Sequence, residues 1–278
     1  MSHKRFGFLA AVLLSLTACV KIPLSADTVF QPKPSVSPSH FEHATATLED
    51  FFFASTDGTA INAWYLKQPG AEQTILFFGG YGFYLVQSSE YLEVFLRHGV
   101  NALLWDYRGY GRSEGKPSVA AVKADALRAY DALRERYAAP AATIVLHGHS
   151  LGTFLATYVA GQREVAGVIL ESPVTAAEAW VQTTVPWYLR MFLRFQIADE
   201  LAGEDNRTRV AELTVPLLLL TGDEDKVAPP HMAETLYELA SSADKTLEVI
   251  AAGEHNGLMA KPGYQAAYAR FLGENNYH

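Results

Sequence analysis

The chain has 278 residues, 49% of them apolar, which is enough to bury one substantial core, so a single catalytic domain is expected. Its formal net charge is -8 with acidic and basic residues interspersed, which leaves no electrostatic footprint for nucleic acid. It has no P-loop, no G-x-G-x-x-G turn and no close His/Cys cluster at zinc-ligand spacing, so no nucleotide, metal or other cofactor is implied and the chemistry falls to side chains.

At the N-terminus Lys4 and Arg5 precede an apolar run from Phe8 to Leu16, and small residues lead to Cys19, the sole cysteine. Residues 1–18 read as a secretion signal, because the run is too short to span a bilayer comfortably as a mature helix. Leu16, Thr17, Ala18 and Cys19 resemble the lipobox of bacterial lipoproteins. That resemblance implies cleavage before Cys19, lipidation of its sulfur and stable anchoring by several acyl chains. Val20 stands where inner-membrane lipoproteins typically carry Asp, so the resemblance points to the outer membrane, facing the periplasm. An ordinary signal peptide with an incidental cysteine and a short anchor helix are the alternatives. Residues 19–46, with Pro32, Pro34 and Pro38 and few apolar side chains, read as an extended Pro/Ser-rich tether.

The catalytic domain is expected over 47–278. Phe51 to Phe53, the pair Asp57-Gly58 and then Ile61 to Leu66 predict two strands joined by a hairpin turn. Apolar β runs follow at Thr74 to Phe78, Val100 to Trp105, Thr143 to His147, Gly167 to Leu170, Pro216 to Thr221 and Leu247 to Ile250. Helical patterns lie between them at Val119 to Tyr137, Leu151 to Gly161, Pro230 to Ser241 and Pro262 to Leu272. This alternation predicts an α/β fold whose mostly parallel sheet carries helices on both faces. One long interruption, about 174–213, is rich in aromatics such as Trp180, Trp187, Tyr188 and Phe192. It reads either as a short lid over the site or as ordinary helices packed on the sheet.

Gly148-His149-Ser150-Leu151-Gly152 sits between a predicted strand and a predicted helix, the context a G-x-S-x-G nucleophile elbow requires. A serine hydroxyl is a weak nucleophile that must project from a tight turn toward a base, and the helix after it aims free amides at a developing oxyanion. His147 and His149 flank the serine, yet no third ligand is evident, so hydrogen-bonded packing is their expected role.

With this elbow, and with Asp106-Tyr107-Arg108-Gly109-Tyr110-Gly111-Arg112-Ser113 resembling a D-x-R-G-x-G-x-S loop, the chain from about Thr47 to Leu272 resembles the α/β-hydrolase superfamily. The resemblance is to the branch of membrane-associated esterases, depalmitoylating thioesterases and serine aminopeptidase-like lipases. Within the second loop Asp106 and Arg108 are expected to pair and fix its shape. The family's chain order of Ser, acid, His places the acid in the loop from Gly222 to Pro229, at Asp225, with a two-residue shift to Asp223 as the alternative. Three histidines follow, His231, His255 and His278, and His255 lies after the last strand where the family has its base. The oxyanion donors implied are the amides of Leu151 and of Tyr81, the latter in Phe78-Gly79-Gly80-Tyr81-Gly82, where Gly79 replaces the family's usual histidine. The activity implied is hydrolysis of a small-molecule or lipid acyl ester or thioester. Two rivals are a serine peptidase and a lipid-anchored binding module that keeps the scaffold without catalysis.

Overall fold

The computed structural model describes residues 20–24, 43, 45–85, 88–179 and 193–273. Cys19, the leader, most of the tether and the aromatic centre of the insert (180–192) lie outside the described residues.

An eight-stranded sheet organises the domain. In chain order its strands are β2 (Thr47–Ala54), β3 (Ala60–Lys67), β4 (Thr74–Phe78), β5 (Asn101–Trp105), β6 (Ile144–His149), β7 (Gly167–Glu171), β9 (Leu217–Gly222) and β10 (Lys245–Ile250). Across the sheet they run β10-β9-β7-β6-β4-β5-β3-β2. The predicted hairpin pairs β2 with β3 antiparallel, β3 meets β5 antiparallel, and every other pairing is parallel. The hairpin turns through Ser55 to Thr59, with Gly58 in the left-handed region at φ 84°. Along β2 Phe51 and Phe53 are buried and Phe52 is exposed, as expected for an edge strand with one wet face. Strands β4, β6 and β7 are buried along their whole length.

Alternate residues of these strands feed two separate cores. Leu76, Leu146, Leu170 and Leu219 pack beneath helices α2 (Val119–Tyr137) and α3 (Gly152–Ala160). Ile75, Val145, Ile169 and Leu218 pack with α1 (Ser89–Arg97) and α7 (Pro262–Phe271). Helix α2 shows how the sequence dictates its element. The Ser118 hydroxyl caps the amide of Ala121, buried Val122, Ala126, Ala129 and Leu133 recur at helical spacing, and Ala138 ends the helix at φ 51°. Helix α6 (Pro230–Leu239) starts with proline at its first position.

Outside the eight-stranded sheet lie a small strand pair and the described part of the insert. The tether contains a strand, β1 (Val20–Leu24), that pairs parallel with β8 (Leu193–Ile197) from the insert. The described remainder of the insert carries two short helices, α4 (Asp199–Ala202) and α5 (Asn206–Val210). Among the described residues no helix is long and apolar enough to cross a membrane.

Candidate active site

The order of the sheet reverses at β4: β5 lies on one side of it and β6 on the other. In open parallel sheets a crevice forms at the carboxyl ends of strands at such a point. Strand β6 extends two residues beyond the predicted Thr143 to His147 and delivers Ser150 directly into that crevice.

Ser150 has φ 51°, a left-handed conformation that costs a non-glycine residue on the order of 1 kcal/mol and is tolerated where the surroundings fix it. They do so here. Its amide donates to the Glu171 carbonyl at 2.9 Å, and the Thr153 hydroxyl donates to its carbonyl at 2.6 Å. A Cβ at Gly148 would lie 2.6 Å from the Gly152 carbonyl oxygen, and one at Gly152 would lie 2.0 Å from that of Phe78. Both glycines are therefore required by close backbone approach.

His255 and Asp225 meet this serine. His255 Nε2 stands 2.9 Å from Ser150 Oγ, and its Nδ1 stands 2.8 Å from Asp225 Oδ2. The other carboxylate oxygen, Asp225 Oδ1, accepts the amides of Val227 and Ala228, each at 2.8 Å. A carboxylate so fixed can only accept, so Nδ1 of His255 carries the hydrogen and Nε2 is free to accept from the serine. The loops bearing acid and base touch, since a Cβ at Gly222 would meet the Gly253 carbonyl at 2.1 Å. Asp223, the alternative acid, is exposed and accepts the Gly253 amide at 3.2 Å. His231 is exposed at the start of α6, and His278 lies outside the described residues.

His149 and His147 point to one side of the strand, where both rings border Tyr91. His149 Nε2 lies 3.2 Å from the His255 carbonyl, which also accepts the Ser172 hydroxyl at 3.1 Å. Because a carbonyl only accepts, Nε2 of His149 carries its hydrogen. Burial holds this ring below the usual histidine range. His147 is enclosed in the core, with Nε2 3.0 Å from Glu171. Burial alone would raise Glu171, but donation by His147, the two nearby histidine rings and Tyr264 outweigh it and bring its pKa below 4.5.

The loop after β5 holds the loop after β4, although by contacts other than those expected. Asp106 does not pair with Arg108. Its carboxylate accepts the amides of Leu85 at 2.8 Å and Arg112 at 3.3 Å. Arg108 instead forms a bidentate pair with Asp125 of α2, both bonds 2.6 Å, and reaches Asp57 in the hairpin at 2.9 Å. The Tyr107 hydroxyl donates to the Gly79 carbonyl at 2.7 Å. Residues 79–85 are thus clasped at both ends. Where the family's usual histidine would stand, a Cβ at Gly79 would fall 2.2 Å from the Phe83 ring, so Phe83 fills that space. A Cβ at Gly80 would lie 3.3 Å from Ser150 Cβ, which brings the loop containing Tyr81 alongside the nucleophile turn. Leu151 occupies the N-cap of α3.

Ser150, Leu151, Tyr81 and His255 border a cavity of about 290 Å³ whose further wall is largely apolar, with Val119, Val122, Phe154, Leu155, Val174 and Leu201. Tyr81 stands half exposed beside it. This arrangement has a proton acceptor on a hydroxyl, an acid behind that acceptor and an apolar chamber in front. It can perform acyl transfer.

The comparisons with known proteins agree with the architecture. The family model described as serine aminopeptidase, S33, matches residues 69–201 and 199–261. Alpha/beta hydrolase domain-containing protein 17B of Xenopus tropicalis is 32% identical over 229 residues, 81% of this chain and 75% of that protein. Its human counterpart is 29% identical over 231 residues, 82% of this chain and 76% of the relative. An esterase of Pyrococcus furiosus superposes with a TM-score of 0.70 at 18% identity, over 88% of this chain and 97% of that one, a likeness of fold. The chain belongs to the α/β-hydrolase family whose model bears the S33 description, and it is a hydrolase.

Proposed function

We propose that the protein is a serine hydrolase that cleaves carboxylic esters or thioesters through Ser150, His255 and Asp225. The observation that carries this reading is the continuous chain Asp225, His255, Ser150, with bonds of 2.8 and 2.9 Å, ending at an apolar cavity. His255 Nε2 takes the Ser150 proton as Oγ attacks the acyl carbon, and Asp225 stabilises the resulting imidazolium. The amides of Leu151 and Tyr81 hold the oxyanion, a contribution of about 3 kcal/mol per donor. His255 returns the proton to the departing alcohol or thiol. Water then repeats the attack on the acyl-enzyme and releases the acid.

A peptidase acting on a free amino terminus would need a carboxylate for the charged amine. Glu204, the acidic residue bordering the cavity among the described residues, already receives Lys123 and Arg209, which argues for an ester or thioester. The lipobox-like Leu16 to Cys19 supports a second element of the proposal, a lipid anchor on Cys19 at the periplasmic face of a bacterial outer membrane, with residues 19–46 as tether. A yeast relative, 27% identical over 237 residues, is described as an uncharacterised membrane protein.

Hydrolysis of p-nitrophenyl butyrate tests the chemistry. Turnover is expected in the native protein and lost in Ser150→Ala at an unchanged thermal melt. A folded native protein with no turnover would favour the binding module. Palmitate labelling in a bacterial host, present in the native chain and absent in Cys19→Ala, is expected for the anchor, and equal labelling of both would refute it.

A further inference from the structure

The cavity bordered by Ser150 is also bordered by Lys123 of α2 and by Glu204. Glu204 has one oxygen 3.0 Å from Lys123 Nζ and the other 2.6 Å from Arg209 Nη2, with only 9% of its side chain exposed. Both cations stand over the Tyr158 ring, at 4.3 and 5.7 Å, and Arg209 also donates to the Phe154 carbonyl. Lys123 and Glu204 therefore bring an ion pair into a largely apolar wall, and Arg209, behind the lining, shares the Glu204 carboxylate with Lys123.

This group makes a poor neighbour for a hydrocarbon terminus. A methyl end pressed against it would strip water from an ion pair and return no hydrogen bond. Lys123 has three N–H donors, and Glu204 takes one. An anionic terminus could accept another in a charge-assisted bond, the strong kind, and would balance the second cation.

We propose that Lys123 makes this cavity selective for acyl groups ending in a carboxylate, so that the preferred substrates are half-esters or half-thioesters of dicarboxylic acids. The inference rests on the serine-hydrolase reading above. The reaction is the same: water supplies oxygen to the acyl carbon, the alcohol or thiol leaves with a proton, and the product is a dicarboxylate. Lys123 acts on specificity and does not touch the reacting atoms.

The test compares p-nitrophenyl monoesters of adipic and suberic acid with p-nitrophenyl hexanoate and octanoate, which match them in carbon count and share the leaving group. In the native protein kcat/KM is expected to favour the carboxylate-ended member of at least one pair by about tenfold or more, the range for a hydrogen bond between charged groups. Lys123→Met should abolish or invert that ratio, and Lys123→Arg should retain it. Methyl-ended esters turned over as well as or better than their carboxylate-ended partners in both pairs by the native protein overturn the inference, whether or not the variants fold. A ratio unchanged in folded Lys123→Met overturns it too. In either case turnover of the methyl-ended esters leaves the hydrolase reading standing, whereas no turnover of any ester, p-nitrophenyl acetate included, overturns both.

Discussion

Two histidines in this molecule face carboxylates at nearly the same distance, His255 with Asp225 at 2.8 Å and His147 with Glu171 at 3.0 Å. The difference lies at the second nitrogen. That of His255 meets Ser150 Oγ at 2.9 Å beside a cavity, and 14% of the side chain is exposed. That of His147 meets the Tyr268 hydroxyl at 3.3 Å in the core, with both members of the pair fully enclosed. The pair itself does not make a reactive centre. Reactivity needs a nucleophile and a space for substrate at the far nitrogen, and without them the same pair only ties strands β6 and β7 to α7.

The comparison can be broken from either side. Ser150→Ala or His255→Ala should lower kcat by about 10⁴-fold or more while leaving the melt intact, read in an ester assay with calorimetry. Asp225→Asn should cost about 10³- to 10⁴-fold, because the amide no longer enforces the required tautomer. Glu171→Leu should act oppositely. It leaves the buried Nε2 of His147 and the Tyr264 hydroxyl without their acceptor, at about 1–3 kcal/mol of stability by denaturant unfolding, with kcat near native in the folded fraction. The sign with pH follows from the lowered pKa of Glu171. The folded state binds fewer protons than the unfolded chain between that lowered value and 4.5, so its contribution is present above 4.5 and lost as pH falls through the folded value. Native protein should therefore lose stability on acidification in that window more steeply than Glu171→Leu. Tyr107→Phe removes one clasp of the loop carrying Tyr81 and should lower kcat about tenfold, the equivalent of one hydrogen bond. Asp223→Asn, at an exposed position, should change stability by less than about 0.5 kcal/mol and leave turnover near native.

Much of this was legible in the sequence because it depends on local rules. The alternation of apolar strands with helical patterns specifies the parallel sheet, and the glycines at 148 and 152 mark the turn that presents Ser150. Asp225 and His255 follow from position after late strands together with family resemblance. The contacts of Arg108 were not legible: it bonds to Asp125, 17 positions away on a helix face, and not to its neighbour Asp106, which turns toward the amide of Leu85. Sequence spacing carries no information about which way a loop side chain points. The Lys123, Glu204 and Arg209 group was missed for the same reason, since it draws on helices α2 and α5 and the turn before α5. Glu171 offered a signal that could have been used, being a charged residue closing the apolar strand Gly167–Glu171. The pairing of Val20–Leu24 with Leu193–Ile197 joins segments too distant for any pattern to connect.

The central claim is that the His255 pair, and not the His147 pair, activates Ser150. Fluorophosphonate labelling of the native protein, His255→Ala and Glu171→Leu, with the adduct located by mass spectrometry, tests it most directly. The account predicts an adduct on Ser150 in the native protein and in folded Glu171→Leu, and none in His255→Ala. An adduct on another residue, or labelling of His255→Ala at the native rate, would contradict it.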